Sequence, residues 1–199
     1  NTTTGINATG NVTVKTLAGD LTLNQNITTA GTLSLEAFGA IARVAGTLSA
    51  NTLNLKAGTT IGTSASRMQS NVSSLSLDSA GDQYLTEADA VTVAAKTTNN
   101  GSTNITTTNG TLTVGAVNSI TGITANGTGN VTLTGHSSTA TGIDVLNAIT
   151  ASGGTATLTG TTDANTRPNN TAYAGIRNSS SINAQTIALT GSTTDTSAD

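Results

Sequence analysis

The sequence predicts an all-β chain wound as a parallel β-helix, a solenoid of about nine or ten coils. Three observations predict it. An aliphatic–polar–aliphatic tripeptide returns ten times, as Val12-Thr13-Val14, Leu21-Thr22-Leu23, Leu33-Ser34-Leu35, Leu53-Asn54-Leu55, Leu75-Ser76-Leu77, Val91-Thr92-Val93, Leu112-Thr113-Val114, Val131-Thr132-Leu133, Ala156-Thr157-Leu158 and Ile187-Ala188-Leu189. The step between later copies is near twenty residues (53 to 75, 91 to 112, 112 to 131), the length of one circuit. Finally, one Phe, two Tyr and no Trp leave Val, Leu, Ile and Ala to fill the interior, which suits a long, narrow core of similar layers.

Each tripeptide is expected to be a strand, because a period of two sends its first and third side chains to one face and its polar middle to the other. Isolated aliphatics between the tripeptides, among them Ile6, Ile27, Ile41, Ile61, Val72, Ile105, Ile143 and Ile149, are the expected inward residues of the other walls of each coil. Asn100-Gly101, Asn109-Gly110 and Asn126-Gly127 supply the positive φ that a sharp corner needs. Two Ala-rich stretches, 35–45 and 87–95, read as strand rather than helix because Gly39, Gly46 and Val91-Thr92-Val93 interrupt a helical pattern. The region 161–174 holds the only Pro, Pro168, and is expected to be an irregular loop. Residues 1–199 then form a single segment of a longer protein, since the chain begins at Asn1 in mid-pattern. An antiparallel β-sandwich is the rival architecture, because short alternating strands describe it too. The shortage of large residues counts against its thick core.

Thr, Ser, Asn and Gly dominate a chain with only 9% charged residues and a net charge of −3. The low charge and the abundance of β-branched residues argue for order over a solvated coil. Seven basic residues make no positive stripe and few rings can stack on bases, so nucleic acid is not an expected partner. No apolar run reaches membrane-spanning length. The absence of Cys removes disulfides and thiolate chemistry and is compatible with export as an unfolded chain.

Chemistry-bearing residues are sparse. Asp78, Asp82, Glu87 and Asp89 form the densest acidic patch and the one candidate metal site, although a solvated turn explains them as simply. No catalytic residue and no cofactor are expected. His136, the sole histidine, sits in a polar turn and would need carboxylates from elsewhere to act. Twelve Asn-x-Ser/Thr triplets occur; Asn100, Asn109, Asn126, Asn169 and Asn178 are the loop positions singled out as glycan acceptors, against the plainer reading that Asn and Thr build turns and strands here. Outward Thr ranks raise ice binding as an alternative, but Lys15, Ser34, Asn54, Ser76 and Ala188 break them.

The segment Ala50-Asn51-Thr52-Leu53-Asn54-Leu55-Lys56-Ala57-Gly58-Thr59-Thr60-Ile61-Gly62-Thr63 resembles the recurring phrase of filamentous-haemagglutinin-like and related β-strand-repeat bacterial surface adhesins: a strand, then Ala-Gly, then Ile-Gly-Thr. Tyr84 to Val93 is similar to their next coil, where an aromatic and an acidic residue precede a strand. The resemblance implies a right-handed parallel β-helix at a bacterial surface or outside the cell, a non-enzymatic shaft working in adhesion, aggregation or biofilm cohesion. Its expected partners are neighbouring repeats, copies of itself, or host-cell and matrix glycans. A self-assembling filament or sheath subunit is the alternative function. A polysaccharide-active enzyme is a more distant one.

Overall fold

The computed structural model describes residues 5–164 and 173–194. It is all-β, with no helix among those residues. Twenty strands follow in chain order: β1 (Ile6–Ala8), β2 (Val12–Lys15), β3 (Leu21–Leu23), β4 (Ile27–Thr29), β5 (Thr32–Ala37), β6 (Ile41–Arg43), β7 (Leu48–Ala57), β8 (Met68–Ser79), β9 (Gln83–Glu87) and β10 (Val91–Thr97). The second half continues with β11 (Thr103–Thr107), β12 (Leu112–Val114), β13 (Ala116–Val117), β14 (Ile120–Thr121), β15 (Ile123–Thr124), β16 (Val131–Ser137), β17 (Ile143–Val145), β18 (Ile149–Thr162), β19 (Ile176–Asn178) and β20 (Ile182–Thr193). Both Ala-rich stretches are strand where they are regular, in β5 and β6 and in β9 and β10.

Sixteen strands share one sheet, and within it seven close a ring: β8, β9, β11, β16, β18, β15 and β10, the last pairing back to β8. Every pairing around the ring is parallel. Strands β7, β12 and β20 attach outside it to β8, β10 and β18, and carry the remaining outer strands with them. The lone antiparallel pairing among the described strands is the small β13–β14 hairpin.

This closed seven-strand parallel barrel with extra strands outside corrects the expected right-handed β-helix solenoid of about nine or ten coils, and equally the antiparallel sandwich. Ring closure depends on two long strands that divide their partners. Met68–Ser70 of β8 pairs with β9 while Ser74–Ser79 pairs with β10. Ile149–Thr150 of β18 pairs with β15 while Ala156–Thr162 pairs with β16. Division of partners along one strand leaves no mark in a pattern of period two.

The expected repeat is corrected with it, since the tripeptides do not all stack in one ladder. Val12, Leu33, Leu53, Leu75 and Val93 align in one. The same ladder runs on from Val93 through Val114 and Val145, with Val91, Leu112, Ile143 and Ile176 aligned beside it. Leu85, Ile105, Leu133, Leu158 and Leu189 align in a second. A single column drawn through all ten copies mixes them.

The inward positions make a continuous aliphatic core running through Leu33, Leu53, Leu75, Val93, Ile105, Leu133, Ile143, Ile149 and Leu158, all fully buried. Burial of such side chains stabilises by about 2 kcal/mol each, and the parallel ladders satisfy the backbone groups that burial would otherwise strand. Apolar side chains of the outermost strands are less covered: Ile6, Ile187 and Leu189 are 43%, 47% and 50% exposed. The three Asn-Gly turns do use positive φ, at Asn100 (55°), Gly110 (152°) and Gly127 (61°). A Cβ at Gly127 would fall 1.9 Å from Asn100 Oδ1, so that turn needs glycine for space as well as for conformation. The expected loop over 161–174 starts later than its sequence suggests, because β18 carries Thr161 and Thr162; residues 165–172 lie outside the described residues.

Candidate functional site

The four acidic candidates Asp78, Asp82, Glu87 and Asp89 are close in sequence but are not brought together. Among the described residues no group of three or more His, Asp or Glu side chains is placed to hold a metal ion. Asp78 stands on the outward face of β8, where its carboxylate meets Lys96 Nζ at 3.2 Å. It belongs to a rank of register partners whose charges alternate: Lys15, Glu36, Lys56, Asp78 and Lys96. Glu36 in that rank is held at 3.0 Å by Lys15 and 3.3 Å by Lys56, and the two ammonium groups lower its pKa. Asp89 lies in a turn and borders a groove of about 410 Å³ together with Asn71, Ser73, Asn109 and Ser138.

Asp82 has a different task, which it shares with six other side chains. Its Oδ1 accepts the backbone N–H of Ser102 at 2.8 Å, across to the next stretch of chain. In the same way Asn11 accepts from Thr32 (2.9 Å), Asp20 from Ala40 (2.7 Å) and Asn26 from Thr47 (2.9 Å). Asn100 accepts from Thr128 (3.1 Å), Asn109 from Ser138 (2.9 Å) and Asn130 from Thr155 (2.7 Å). A turn interrupts the backbone ladder, and the short Asx carbonyl takes up the N–H left over. The signal in the sequence is an Asn or Asp shortly before a strand, with a small residue, Thr, Ser or Ala, about twenty to thirty positions later.

Two of the glycan-acceptor candidates, Asn100 and Asn109, are therefore part of this bridging set. Both are exposed, as are Asn126, in its turn beside Gly127, and Asn178, at the end of β19. Asn169 lies outside the described residues.

Glu87 is the acidic residue with the most unusual setting. It ends β9 on the inward side and is fully buried. Its Oε2 bonds the Ser70 hydroxyl, and its Oε1 accepts the N–H groups of Val72 at 2.9 Å and Ala88 at 3.1 Å. Burial pushes its pKa up to about 7, against the opposing pull of these three hydrogen bonds and with a further push from the Asp89 charge.

Two further polar clusters were not expected from the sequence. Arg67 lies over the outward face of β9 and β11, donating to Thr86 Oγ1 and Asn104 Oδ1 (both 2.9 Å) and to the carbonyls of Leu85 and Asn104, with its guanidinium 5.9 Å from the Tyr84 ring centre. Desolvation lowers its pKa, and the neutral acceptors around it use its planar fork of donors to join the two strands. His136 recruits a carboxylate from another strand end: its Nε2 stands 3.4 Å from Asp163 and its Nδ1 2.9 Å from Thr161 Oγ1. Thr161 sits within the β18 ladder and Asp163 bonds Thr194 as well, so the three groups tie β16, β18 and the end of β20 together.

The outward face over β9, β11, β16, β18 and β20 carries an unbroken threonine rank: Thr86, Thr106, Thr134, Thr159 and Thr190. Beside it run Thr132 and Thr157 on one flank and His136, Thr161 and Ser192 on the other. Ser34, Asn54 and Ser76 belong to the other ladder, so they do not interrupt this face. Hydroxyls here repeat at strand spacing, about 4.8 Å. Arg67 covers the β9 and β11 part, leaving the field open over β16, β18 and β20.

Comparison with known proteins returned no match to a family model, to a curated protein or to a solved structure.

Proposed function

We propose that this chain is a non-enzymatic structural segment of a bacterial cell-surface or extracellular fibre protein, working in adhesion, aggregation or biofilm cohesion. The observation that carries the reading is the hydroxyl face over β16, β18 and β20, built on a rigid parallel ladder with little charge. Threonine hydroxyls on a fixed lattice can donate to and accept from another hydroxylated surface, a glycan coat or a matching face, at small entropic cost because β-branched side chains are already ordered. The described carboxylates other than Asp89 are engaged with lysines, arginine, histidine or backbone N–H groups, which is the pattern of a scaffold. The resemblance of 50–63 and 84–93 to surface-adhesin phrases supports the same reading.

Beads coated with the purified chain test it. They should clump with one another or be retained on glycan-coated or matrix-coated surfaces, and the paired change Thr134→Val with Thr159→Val should reduce that retention severalfold without altering the unfolding midpoint by more than a few degrees. Beads that neither clump nor adhere would end this reading.

A second reading, a self-assembling filament or sheath subunit, draws on the partly bare apolar residues Ile187 and Leu189 of β20, whose described pairing is to β18 alone. Concentration-dependent filaments under the electron microscope would favour it over the segment reading.

A further inference from the structure

The end of the β8–β9 joint is closed by a side chain where the backbone ladder runs out. Pairing between the two strands covers Met68 with Leu85, Gln69 with Thr86 and Ser70 with Glu87, and goes no further. Ala88 N–H still reaches Ser70 C=O at 3.0 Å, but the chain then leaves for the turn that leads to β10. Val72 N–H, one step past the last pair, has no β9 carbonyl to meet. The Glu87 carboxyl folds back and accepts it. The joint matters to the whole sheet, since β8 is the strand through which the seven-strand ring closes on β10.

We propose that Glu87 makes this joint a proton-dependent latch, shut while the carboxyl is neutral and loosened when it ionises. The geometry sets complete burial against three hydrogen-bond donors, with no cation to tip the balance toward the ionised form. One oxygen accepts the N–H groups of Val72 and Ala88 and the other accepts the Ser70 hydroxyl, so the carboxyl is fastened to both strands at the end of the joint. The neutral group holds the joint without a buried charge. Ionisation keeps the bonds but places a full negative charge at a position with no exposed surface, and no cation is among its bonding partners.

The surrounding groups do not offset that charge. From β8 the site meets Ser70 and Val72; from β11 it meets Thr107, the register partner of Glu87; from the following turn Asp89 adds a second negative charge. Arg67, the nearest cation along the chain before β8, is committed to Thr86 and Asn104 on the outward side of the strands. The groove bordered by Asn71, Val72 and Asp89 reaches the edge of the joint and gives water a route in once it loosens.

The sign follows from the two states. Unfolded, the carboxyl titrates near its ordinary 4.5; folded, near about 7. Between these values the folded chain holds a proton that the unfolded chain has lost, so stability falls as pH rises through this window and levels off above it. Two measurements on the whole chain test the latch. Carboxyl-carbon NMR should place the Glu87 midpoint well above that of an ordinary glutamate; a midpoint near 4.5 overturns the proposal. Thermal unfolding should give a midpoint about 5 °C lower at pH 8.5 than at pH 5.5. Glu87→Gln, which mimics the neutral acid, should remove most of that difference and should keep the Val72 and Ala88 amides protected from hydrogen exchange at the higher pH. An equal pH response in both chains overturns the proposal. Should the variant fail to fold, the NMR midpoint of the native chain decides alone.

Discussion

Glu36 and Glu87 stand on the same sheet and teach opposite lessons about a carboxylate in a parallel ladder. Glu36 points outward between two register partners, Lys15 and Lys56, and its neighbours hold it ionised. Glu87 points inward between Ser70 and Thr107, and its surroundings hold it protonated up to about 7. The first is an element of surface register, where an alternating rank of lysine and acid penalises any slip that sets like charges side by side. The second replaces a missing backbone acceptor at a joint. Identical chemistry serves alignment in one place and closure in the other, and strand parity alone separates them.

Removing each group should expose the contrast. Glu87→Ala leaves Val72 N–H and the Ser70 hydroxyl without their acceptor and opens a small void, so it should cost about 3 kcal/mol in chemical denaturation. A loss no larger than that of the corresponding change at Glu36 would break the comparison. The gain from the latch is bounded by the same arithmetic: the displacement from 4.5 to about 7 corresponds to roughly 3 kcal/mol across the pH window.

An intermediate case is Asn109, whose Oδ1 takes the Ser138 N–H at an exposed turn beside the groove. Asn109→Ala should cost about 1 kcal/mol, independent of both pH and salt, because the bond is neutral and water replaces part of it. The smallest effect belongs to Glu36→Gln. It should lower the unfolding midpoint slightly at low ionic strength and hardly at all in high salt, since the pair is solvent-screened. Its pH dependence runs opposite to that of Glu87, with stability lost as pH falls through the lowered carboxylate range. A salt-insensitive result would assign Glu36 a packing role instead.

Much of the candidate chemistry was hidden because sequence neighbours are not ladder neighbours. Asp78, Asp82, Glu87 and Asp89 look like one acidic patch within a dozen residues, yet they go to an ion-pair rank, a turn bridge, a buried joint and a groove rim. The charged rank itself was written in the chain as Lys15, Glu36 and Lys56 at steps of 21 and 20, close to the tripeptide spacing, and was legible to that extent. The threonine face was obscured by drawing all tripeptides in one column, which set Ser34 and Asn54 against Thr134 and Thr159 although they lie on separate ladders. Arg67 carried no signal, since its partners are reached only after the chain has come round to β9 and β11.

What the sequence determined by itself is the strand content, the aliphatic face of each strand and the positive-φ turns. These are local properties, set by β-branched residues, by a period of two and by Asn-Gly conformational freedom. Only the tertiary structure decided which strand lies beside which, and therefore that β8 and β18 each divide their partners and close a ring of seven. The reason is physical: Leu, Val and Ile inward positions are nearly interchangeable, so many alignments bury equal area. Groups that meet only in the folded chain, such as the Glu87 carboxyl at the Val72 amide, leave no trace in that pattern.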